Sequence, residues 1–551
     1  MLRPTLLLIS FLVCFTGLLY TQTPRTLGLL TSTLESYEGY TLLAPLGSKK
    51  TYLVDMCGRA VHTWTSDYTP GHTVRLLPDG SIVRMLSTGK SPLGEFAGGA
   101  VEIRDWHNNQ TWYFEYGNDT VNLHHGLDVL PNGNVLMNVY HKVSKSQAIA
   151  AGIDTSTVDS VLWSEMVIEV KPTGPTTGDI VWQWNAWDHL VQDYDASKSG
   201  YGNIRQSFRR IDVNYPPMKP GSKRIDKWHA NSVAYNPSLD QVMISAHTSN
   251  EVWIVDHSTT TQQARGSTGG KYGKGGDLLY RFGNPASYDA GDSTTKFLFG
   301  QHDPHWIASG LLNEGMVIVF NNGLGRPGRA MSTVDIYELP TSIDSAYQTA
   351  DGTFDVPTLR WQYKHTDMPV FISPFVSNAQ VLPNANVLIC QGVSGRIFEI
   401  NPIDTVVWEY QNPVQNDTIL EQGQRPLNVL VFRAYRYGKD YPAFANKDLN
   451  DGYPIEEKAT SYACAYGDVN TDVIANNPTP IVAYPNPCTN HVYLDNVLPN
   501  STFSVIDVRG LRHAEGVVTN TPYRIELHGV PSGVYVITAN NQRVGTVVKT
   551  E

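Results

Sequence analysis

The stretch HGLDVLPNGNVLM, residues 125–137, joins two apolar strands through a Pro-Asn-Gly turn. A turn of this composition between two runs of aliphatic and β-branched residues is typical of a β-hairpin. The pattern recurs in four further stretches, which are HTVRLLPDGSIVRM (72–85), HANSVAYNPSLDQVMISAH (229–247), HDPHWIASGLLNEGMVIVF (302–320) and SNAQVLPNANVLICQ (377–391). This recurrence indicates a repeat protein that is built from β-hairpins.

Pairs of strands rich in β-branched residues alternate with these hairpins and end near tryptophan, as in TYLVDMCGRAVHTW (51–64) and RIFEINPIDTVVWEY (396–410). Six such pairs accompany five hairpins, and the strands GYTLLAP (39–45) and VLVFRAYRY (429–437) from the two ends can supply the missing hairpin. We therefore predict an all-β protein in which residues 36–460 form a six-bladed β-propeller closed by strands from both ends. A β-sandwich, or several separate β-modules, is the alternative architecture.

The length and charge of the chain restrict its domain count and its partners. A chain of 551 residues exceeds one ordinary core and predicts at least two domains. The formal net charge is −11, with charges of both signs mixed along the chain. This balance argues against nucleic-acid binding, which needs a basic face that displaces counterions. A small molecule is therefore the expected partner.

The N-terminal segment has Arg3 ahead of an apolar run that ends in small and polar residues. This layout is typical of a secretory signal peptide, which we place at residues 1–22. A retained membrane anchor is the alternative, whereas Val13 before Cys14 spoils a lipoprotein cleavage box. No later stretch approaches the ~20 apolar residues that span a bilayer, so we predict an exported protein without a retained transmembrane segment.

Near residue 460 the repeat gives way to a polar segment, residues 461–480, which we interpret as a linker. Residues 481–551 alternate short apolar strands with Asn-Pro, Arg-Gly and Pro-Ser-Gly turns, which predicts a small C-terminal β-sandwich module. In the linker, Asp468, Asn470 and Asp472 imitate the start of a calcium loop, but the required glycine and final glutamate are missing. An Asx-turn linker is the favoured interpretation.

Histidines occupy one structural level of the predicted inner strands. The residues that lie six positions before the turn proline of their hairpins are His72, His125 and Ser377. His229 lies two positions before the equivalent Asn231, so the strand period of two keeps it on the same face, and His302 opens another inner strand. One such histidine alone is best explained by a structural hydrogen bond. Several together indicate a ligand site at the channel mouth, because imidazole is costly to bury without a partner.

Two kinds of chemistry suit a histidine cluster. Neutral imidazoles bind zinc, copper or iron, but no His-x-His or His-x₃-His pair on a helix supports such a site, and we predict no metal. An imidazole nitrogen can also attack an electrophilic centre and form a covalent intermediate. The sequences G-x-S-x-G, H-E-x-x-H, the P-loop and C-x-P-x-R are absent.

Four cysteines remain after signal removal and allow one disulfide outside the cytosol, and these are Cys57, Cys390, Cys464 and Cys488.

Several motifs resemble those of the bacterial arylsulfotransferases, in the order and approximate spacing of that family. They are HHGLDVLPNGNVLM, KWHANSVAYNP, QHDPHWIASG, VIVFNNG and LPNANVLICQGVSGRIFEINPIDTVVWEYQNP, and the resemblance covers roughly residues 40–445. It implies a six-bladed propeller that moves a sulfuryl group from a phenolic sulfate ester to a phenolic acceptor through a transient sulfohistidine. It also implies independence of the nucleotide donor PAPS, so no cofactor is expected.

The resemblance assigns roles residue by residue. His302 in QHD matches the nucleophile, His229 in HANSV a histidine that contacts the sulfuryl group, and His125 in HHG a further active-site histidine. His247 stands where the family usually has arginine, whose fixed fork of donors would hold the sulfate. We assign proton transfer to His125 or His229, and a contact with the sulfonyl oxygens to His247.

Further residues are predicted to bind the substrate, and these are His305, Trp306, Asn231 and His124, the last of which neighbours His125 but points to the opposite face. His305 is expected to be secondary, because a three-residue offset turns it away from the face that His302 uses. Trp306 can stack on an aryl ring, although blade packing is its simpler role. Arg210 and Arg433 are candidates for the missing sulfate clamp.

Residues 481–551 resemble the C-terminal sorting domain of the type IX secretion system, with AYPNP at the start, PSGVYVI later and a basic residue near the end. This resemblance implies the type IX secretion machinery as a partner and a secreted or cell-surface location. A propeller is also a common binding scaffold, so a non-catalytic module for a surface glycan or sulfated ligand is the alternative function.

Overall fold

A computed structural model describes residues 25–550 apart from residues 92, 94–97, 159, 217–225, 329, 342–346, 351, 366–370, 451, 460–461, 468–481, 496, 498, 508–510 and 540–541. The predicted signal peptide and the calcium-like residues of the linker lie outside these described residues. The chain divides into two compact units near residue 470.

Six antiparallel sheets form the first unit, and each sheet has one strand at a common axis. Four of the sheets contain only sequential strands, which follow one another from the axis outwards. Blade 1 contains Thr69–Leu76, Ile82–Ser87, Gly99–Arg104 and Gln110–Glu115, and blade 2 contains Val121–Val129, Val135–Ser144, Val161–Gly174 and Thr177–Asn185. Blade 3 contains Ala230–Asn236, Gln241–Ala246, Glu251–Asp256 and Tyr280–Phe282. Blade 4 contains His302–Trp306, Val317–Asn321, Thr333–Glu338 and Thr358–Tyr363.

The two ends of the unit meet in the other two blades. Blade 5 consists of Asn378–Val381, Val387–Gln391, Arg396–Ile400, Val406–Gln411 and, at its outer edge, Gly28–Ser32. Blade 6 consists of Val431–Gly438 at the axis, then Gly39–Pro45, Lys50–Val54, Arg59–Thr65 and Tyr453–Pro454. Because Val431–Gly438 pairs with Gly39–Pro45, the last long strand of the propeller closes the ring on the first blade strands. The predicted six-bladed propeller is confirmed.

Burial changes from the axis to the rim as the sequence pattern predicts. The second strands are largely buried, as in Ile82–Ser87 and Gln241–Ala246, which suits their mainly apolar sequences. The outermost strand of blade 4, Thr358–Tyr363, is more exposed, whereas that of blade 3, Tyr280–Phe282, is buried. The tryptophans that end the outer pairs connect neighbouring blades by hydrogen bonds. Their indole N–H groups donate across blade boundaries, from Trp64 to the carbonyl oxygen of Asp105, from Trp112 to that of Thr177, and from Trp408 to that of Met56.

One disulfide ties the end of the unit back to its beginning. It joins Cys57, in a turn of blade 6, to Cys464, across 407 residues. The Tyr466 hydroxyl donates a hydrogen bond of 2.6 Å to the carbonyl oxygen of Ser36 in the same region. The predicted linker therefore begins with a segment that packs on the propeller. Cys390 and Cys488 are buried free thiols.

The remaining elements of the first unit are short. They are the helices Lys145–Ala150 and Thr261–Ala264, the 3-10 turns Ala186–His189, Arg205–Ser207, Pro285–Tyr288 and Pro442–Phe444, and the paired strands Leu190–Val191 with Ile211–Asp212, Thr349–Ala350 with Thr353–Phe354, and Val414–Gln415 with Thr418–Ile419. Within the described part of the chain, no helix has the length and apolar character that crossing a membrane requires.

The second unit contains two antiparallel sheets around its own core. One sheet consists of Val482–Tyr484, His491–Asp495 and Tyr523–Glu526, and the other of Arg512–Val517, Thr502–Asp507, Gly533–Ala539 and Gln542–Lys549. Alternate residues of these strands are buried, among them Val492, Leu494, Val505 and Ile537. The predicted C-terminal β-sandwich module agrees with this arrangement.

Candidate active site

Each inner strand of blades 1 to 4 begins with a β-bulge that turns one side chain towards the axis. The pairing with the second strand slips between Pro70 and Val74 in blade 1, and between His302 and His305 in blade 4. The backbone at these bulges adopts positive φ, at 103° for His72, 49° for His125 and 52° for His229. Such values are costly for residues with a Cβ and recur at functional sites, where the surrounding structure holds them.

The inner strands bring four imidazole rings together, and His247, which follows the second strand of blade 3, completes one continuous group. We call this group the histidine arc: His72, His125, His229, His247 and His302. The His72 and His125 rings stack with centroids 4.2 Å apart, and the His125 and His229 rings meet edge to face at 4.6 Å. The centroid distance is 5.3 Å from His229 to His247 and again from His247 to His302. The structure thus brings the four predicted catalytic histidines together and adds His72.

Phe432 of the closing strand completes the inner wall around the histidine arc. Its ring centroid lies 4.5 Å from that of His72 and 6.3 Å from that of His302. The aromatic face excludes water from one side of the arc, which strengthens electrostatic interactions there. Burial lowers the pKa of His72 to about 3, and the carbonyl oxygen of Gly71, 2.9 Å from its Nδ1, only partly offsets this effect.

His302 is held by a closed circuit of hydrogen bonds. Its Nδ1 lies 2.8 Å from Oδ1 of Asn322, an acceptor, so Nδ1 carries the proton. Its Nε2 therefore has the lone pair, which accepts the backbone N–H of Val376 at 3.1 Å. The Asn322 amide nitrogen donates to the carbonyl oxygen of Val376 at 2.9 Å. Burial, and then the neighbouring His247, lower the pKa of His302 well below its usual range, so the imidazole is neutral.

His125 belongs to a second chain of hydrogen bonds that runs away from the axis. Its Nδ1 lies 3.0 Å from Nδ1 of His124, and Nε2 of His124 lies 3.0 Å from Oε2 of Glu165. Glu165 also accepts the backbone N–H of Ala230 at 2.7 Å. His124 is fully buried and stacks on Tyr140 with centroids 3.5 Å apart. The sequence predicts substrate binding for His124, but the structure places it behind His125, where it does not line the channel.

His229 faces a carboxylate and a phenol. Its Nδ1 makes a short hydrogen bond with Oδ2 of Asp226, and the Tyr140 hydroxyl donates to the same oxygen at 3.1 Å. Burial by itself raises the pKa of Asp226, but the facing His229 outweighs it, so the pKa is lowered. Asp226 is therefore a carboxylate that orients His229, in the way that an acidic residue orients a catalytic histidine.

An ion pair closes the channel beneath the histidine arc. The Arg433 guanidinium lies 2.9 Å from Oδ1 of Asp303 and donates to the carbonyl oxygen of Asn231 at 2.8 Å. Arg433, one of the two candidates for the sulfate clamp, is therefore ion-paired with Asp303 in the free protein. The Asn231 side chain donates to the carbonyl oxygen of Gln301 at 2.8 Å and is fully buried. Asn231 thus supports the strand that carries His302, in place of the substrate contact that the sequence predicts.

A cavity of about 270 Å³ is lined by residues that lie further along the inner strands. Each inner strand contributes one residue to this cavity, and these residues are Arg75, Asp128, Ala234, His305, Gln380 and Tyr435. Arg75, Asp128 and His305 lie three positions beyond the arc histidine of their strand, and Ala234 lies five positions beyond His229. Trp306 also lines this cavity. Three strand residues span roughly 10 Å, so His305 and Trp306 are remote from the reactive atom of His302. The structure does not unite them with the arc, because Asp303 and Arg433 intervene.

One other predicted site residue lies outside the histidine arc and this cavity. The Arg210 guanidinium donates to the Ser267 hydroxyl at 2.9 Å and contacts none of the arc histidines. Sequence reasoning missed Asn322, Glu165 and Asp226. Asn322 could have been recognised from its place in the VIVFNNG motif, and Glu165 as a polar residue within an apolar strand. No sequence feature distinguishes Asp226, which lies in a loop. Among the described residues, no three His, Cys, Asp or Glu side chains are grouped as a metal site requires.

Fold and site together define a six-bladed propeller whose axial channel holds a cluster of imidazoles at one mouth, of which His72, His125 and His302 are kept neutral by burial. Such groups suit transfer chemistry and are unnecessary for packing. The model of the arylsulfotransferase (ASST) family matches residues 33–422, and the chain belongs to this family. Its activity is accordingly that of an aryl sulfotransferase in the general sense. Residues 482–550 match the secretion system C-terminal sorting domain, which points to export and surface attachment.

Solved structures similar to this chain are distant from it in sequence. A protein of unknown function from Bacteroides caccae is 11% identical, with 72% of this chain and 98% of that chain covered and a TM-score of 0.39. A streptogramin B lyase is 10% identical, with 75% and 95% covered and a TM-score of 0.33. A protein from Lactobacillus plantarum is 11% identical, with 72% and 87% covered and a TM-score of 0.34. No curated protein matches the chain.

Proposed function

We propose that the protein transfers a sulfuryl group from a phenolic sulfate ester to a phenolic acceptor through a covalent sulfohistidine on His302, independently of PAPS. One observation carries this proposal. His302 is buried and neutral, and Asn322 fixes the proton on Nδ1, so Nε2 carries the lone pair, which accepts only the Val376 backbone N–H in the free protein and becomes nucleophilic when that hydrogen bond is given up. A neutral imidazole nitrogen with a defined lone pair is a competent nucleophile.

In the first half-reaction, Nε2 of His302 attacks the sulfur atom and the bond from sulfur to the aryl oxygen breaks. The electron pair of that bond leaves on the phenolate oxygen. Nδ1 of His302 keeps its proton, which remains hydrogen-bonded to Oδ1 of Asn322. The Val376 N–H, which donates to Nε2 in the free protein, can then donate to a sulfonyl oxygen. In the second half-reaction, the acceptor oxygen attacks the same sulfur and His302 leaves.

Proton transfer falls to His125 and His229. The leaving phenolate must gain a proton and the acceptor phenol must lose one, so the site needs a group that can do both. His229, oriented by Asp226, and His125, whose Nδ1 is held by His124, border the channel beside each other. His247 lies between His229 and His302, where its ring can contact the sulfonyl oxygens.

The proposal is tested by trapping the intermediate. The protein is incubated with 4-nitrophenyl sulfate, quenched in alkali to preserve the acid-labile bond from nitrogen to sulfur, and mapped by peptide mass spectrometry. We expect a sulfuryl adduct on His302, and His302→Ala should lower turnover by about four orders of magnitude or more. An adduct on another residue, or turnover that survives His302→Ala, would refute the mechanism.

A matched control removes another paired histidine from the propeller. His257 bonds to Glu169 and Asp240 at 3.0 and 2.8 Å, away from the arc. His257→Gln should leave both the adduct and the turnover in place. If wild-type protein binds an aryl sulfate but releases no phenol in the presence of an acceptor, the alternative of a non-catalytic binding module is correct.

We also propose that the chain is exported with an N-terminal signal peptide and displayed by the type IX secretion machinery. The C-terminal sorting domain supports this route. Mature protein from the native host should lack residues 1–22 and part or all of residues 481–551. Intact mass of the surface fraction checks this expectation, and recovery of the full-length chain from the periplasm would contradict it.

A further inference from the structure

The buried pair of His124 and Glu165 has no role in the proposed nucleophilic step. Both side chains are almost completely buried, at 0% and 1% exposure. They continue from His125 in one line of hydrogen bonds, through two Nδ1 atoms at 3.0 Å and then from Nε2 to Oε2 at 3.0 Å. Among the described residues, Nε2 of His125 has no hydrogen-bond partner and is the nitrogen left to meet a substrate.

Two arrangements of protons satisfy this line of atoms. In the first, the Glu165 carboxyl is protonated and donates to Nε2 of His124, whose Nδ1–H donates to Nδ1 of His125, so that Nε2 of His125 carries a proton. In the second, Glu165 is a carboxylate that accepts from Nε2–H of His124, and His125 donates through Nδ1–H and presents a lone pair at Nε2. In either arrangement every donor and acceptor within the line is paired, and only Nε2 of His125, at its end, is left for a substrate.

We propose that Glu165 and His124 form a buried proton relay that switches His125 between a general acid and a general base within one turnover. The inference rests on the proposed function. When the first phenolate leaves, Nε2–H of His125 protonates its oxygen, the Nδ1 proton of His124 moves to Nδ1 of His125, and the Glu165 proton moves to Nε2 of His124. The acceptor phenol later returns one proton along the same path, so the cycle balances.

The surroundings of Glu165 suit a carboxyl that is protonated at rest and ionised only in the intermediate. Burial, and then the facing Asp226 carboxylate, raise its pKa well above the usual range. The Ala230 N–H, 2.7 Å from Oε1, and the nearby His229 favour the carboxylate and so allow it to form. Burial also lowers the pKa of His124 and His125 well below their usual range, so neither ring stores the proton as a cation.

Glu165→Gln is the informative substitution, because the glutamine amide can accept from Ala230 and donate to His124 but cannot give up a proton. Two donors are compared. 4-Nitrophenyl sulfate has a good leaving group that needs little protonation, whereas phenyl sulfate needs a general acid, which is worth about 10²- to 10⁴-fold. We expect the variant to lose about 100-fold or more of kcat with phenyl sulfate and less than threefold with 4-nitrophenyl sulfate. Equal losses with both donors indicate a structural role and overturn the relay.

The matched control lies on the same strand. Glu169 is also bonded to a histidine, His257, at 3.0 Å, but it does not contact the arc. Glu169→Gln should leave the ratio of the two rates unchanged. If Glu165→Gln does not fold, His124→Phe keeps the stacking on Tyr140, interrupts the relay and should show the same dependence on the leaving group.

A spectroscopic measurement separates the relay from the proposed function. The infrared spectrum of the wild-type protein at pH 7 should contain a protonated carboxyl band that disappears in Glu165→Gln and persists in Glu169→Gln. Absence of this band in the wild type overturns the relay, whatever the activity. Presence of the band without turnover of either sulfate contradicts the proposed function. Glu165 is then a protonated carboxyl that does not supply a proton to a sulfuryl transfer.

Discussion

At the level of single residues, burial keeps the imidazoles of His72, His125 and His302 neutral. A histidine in water is half protonated near pH 6.5 and a protonated nitrogen is no nucleophile. For His302, burial and the neighbouring His247 move the pKa far below that point. Protonation of the nucleophile should therefore not limit the reaction at mildly acidic pH.

The same burial makes stability depend on pH. For His72 the pKa is 6.5 in the unfolded chain and about 3 in the fold. Between these values only the unfolded chain binds the proton, so the free energy of unfolding falls as pH falls, by about 1.4 kcal/mol per pH unit for each such histidine. Urea unfolding of the full chain at pH 7, 6 and 5 measures this slope. His72→Gln should show a shallower slope, and an unchanged slope would contradict neutral burial of His72.

Asn322 offers a second prediction at this level. Without its side chain, Nδ1 of His302 keeps only the more distant carbonyl oxygen of Gly300, at 3.2 Å, as an acceptor, so the ring is held less firmly, and the Val376 carbonyl oxygen loses a donor. Asn322→Ala should therefore lower kcat by about 10- to 100-fold with a smaller change in the KM of the donor. Steady-state kinetics check this outcome, and a purely KM effect would show that Asn322 acts in donor binding.

His247→Arg tests the departure from the family arginine. The ring of His247 lies 5.3 Å from both His229 and His302, a position from which a guanidinium fork would reach the sulfonyl oxygens. We expect a lower KM for aryl sulfates if histidine is a weak clamp. Loss of both kcat and affinity would instead assign His247 to proton transfer.

Some residues of the site could be predicted from the sequence and others could not, for geometric reasons. A fixed offset from the turn proline placed His72 and His125 at one level, because hairpin register is local. The same reasoning could not show that His305 belongs to a different level, since the bulge after His302 and the ion pair of Asp303 come from tertiary packing. Glu165 approaches His124 from a strand 41 residues away, which no local pattern encodes.

At the level of elements, the inner strands carry both the fold and the site. Hairpin turns and tryptophan-ended pairs made the propeller predictable, since both are repeated in the sequence. The bulges were not predicted, because they arise where six strands crowd at one axis. Backbone contact there is close: a Cβ on Gly126 would lie 2.9 Å from the Cα of Ser232 in the next blade and 2.3 Å from Oδ1 of Asn138.

Gly126→Ala should therefore push the inner strand of blade 2 from its neighbour and move His125. We expect a loss of about 1–3 kcal/mol in the free energy of unfolding and a larger proportional loss in turnover. Gly202→Ala is the control, because its Cβ would meet only the Ser207 hydroxyl at 3.9 Å. Denaturant unfolding and initial rates of both variants check this, and equal behaviour would contradict close strand packing.

For the propeller as a whole, closure depends on three separate ties between its ends. These are the pairing of Val431–Gly438 with Gly39–Pro45, the pairing of Gly28–Ser32 with Val406–Gln411, and the disulfide of Cys57 with Cys464. Replacing both cysteines by serine should lower the free energy of unfolding by about 2–4 kcal/mol, because the cross-link restricts the unfolded chain. Reductant should destabilise the wild type alone, and equal sensitivity of the double variant would refute this.

The position of the closing strand near the end of the propeller also determines when, during synthesis, the site can form. Cys464 leaves the ribosome 407 residues after Cys57, which at about 5–20 residues per second corresponds to about 20–80 s. For most of this interval Val431–Gly438 has not been made, so Gly39–Pro45 has an unpaired edge, and Phe432 and Arg433 are not yet present to border the arc and pair with Asp303. The nascent chain therefore cannot react with a sulfate ester before almost all of the propeller has been made, whatever compartment it is passing through.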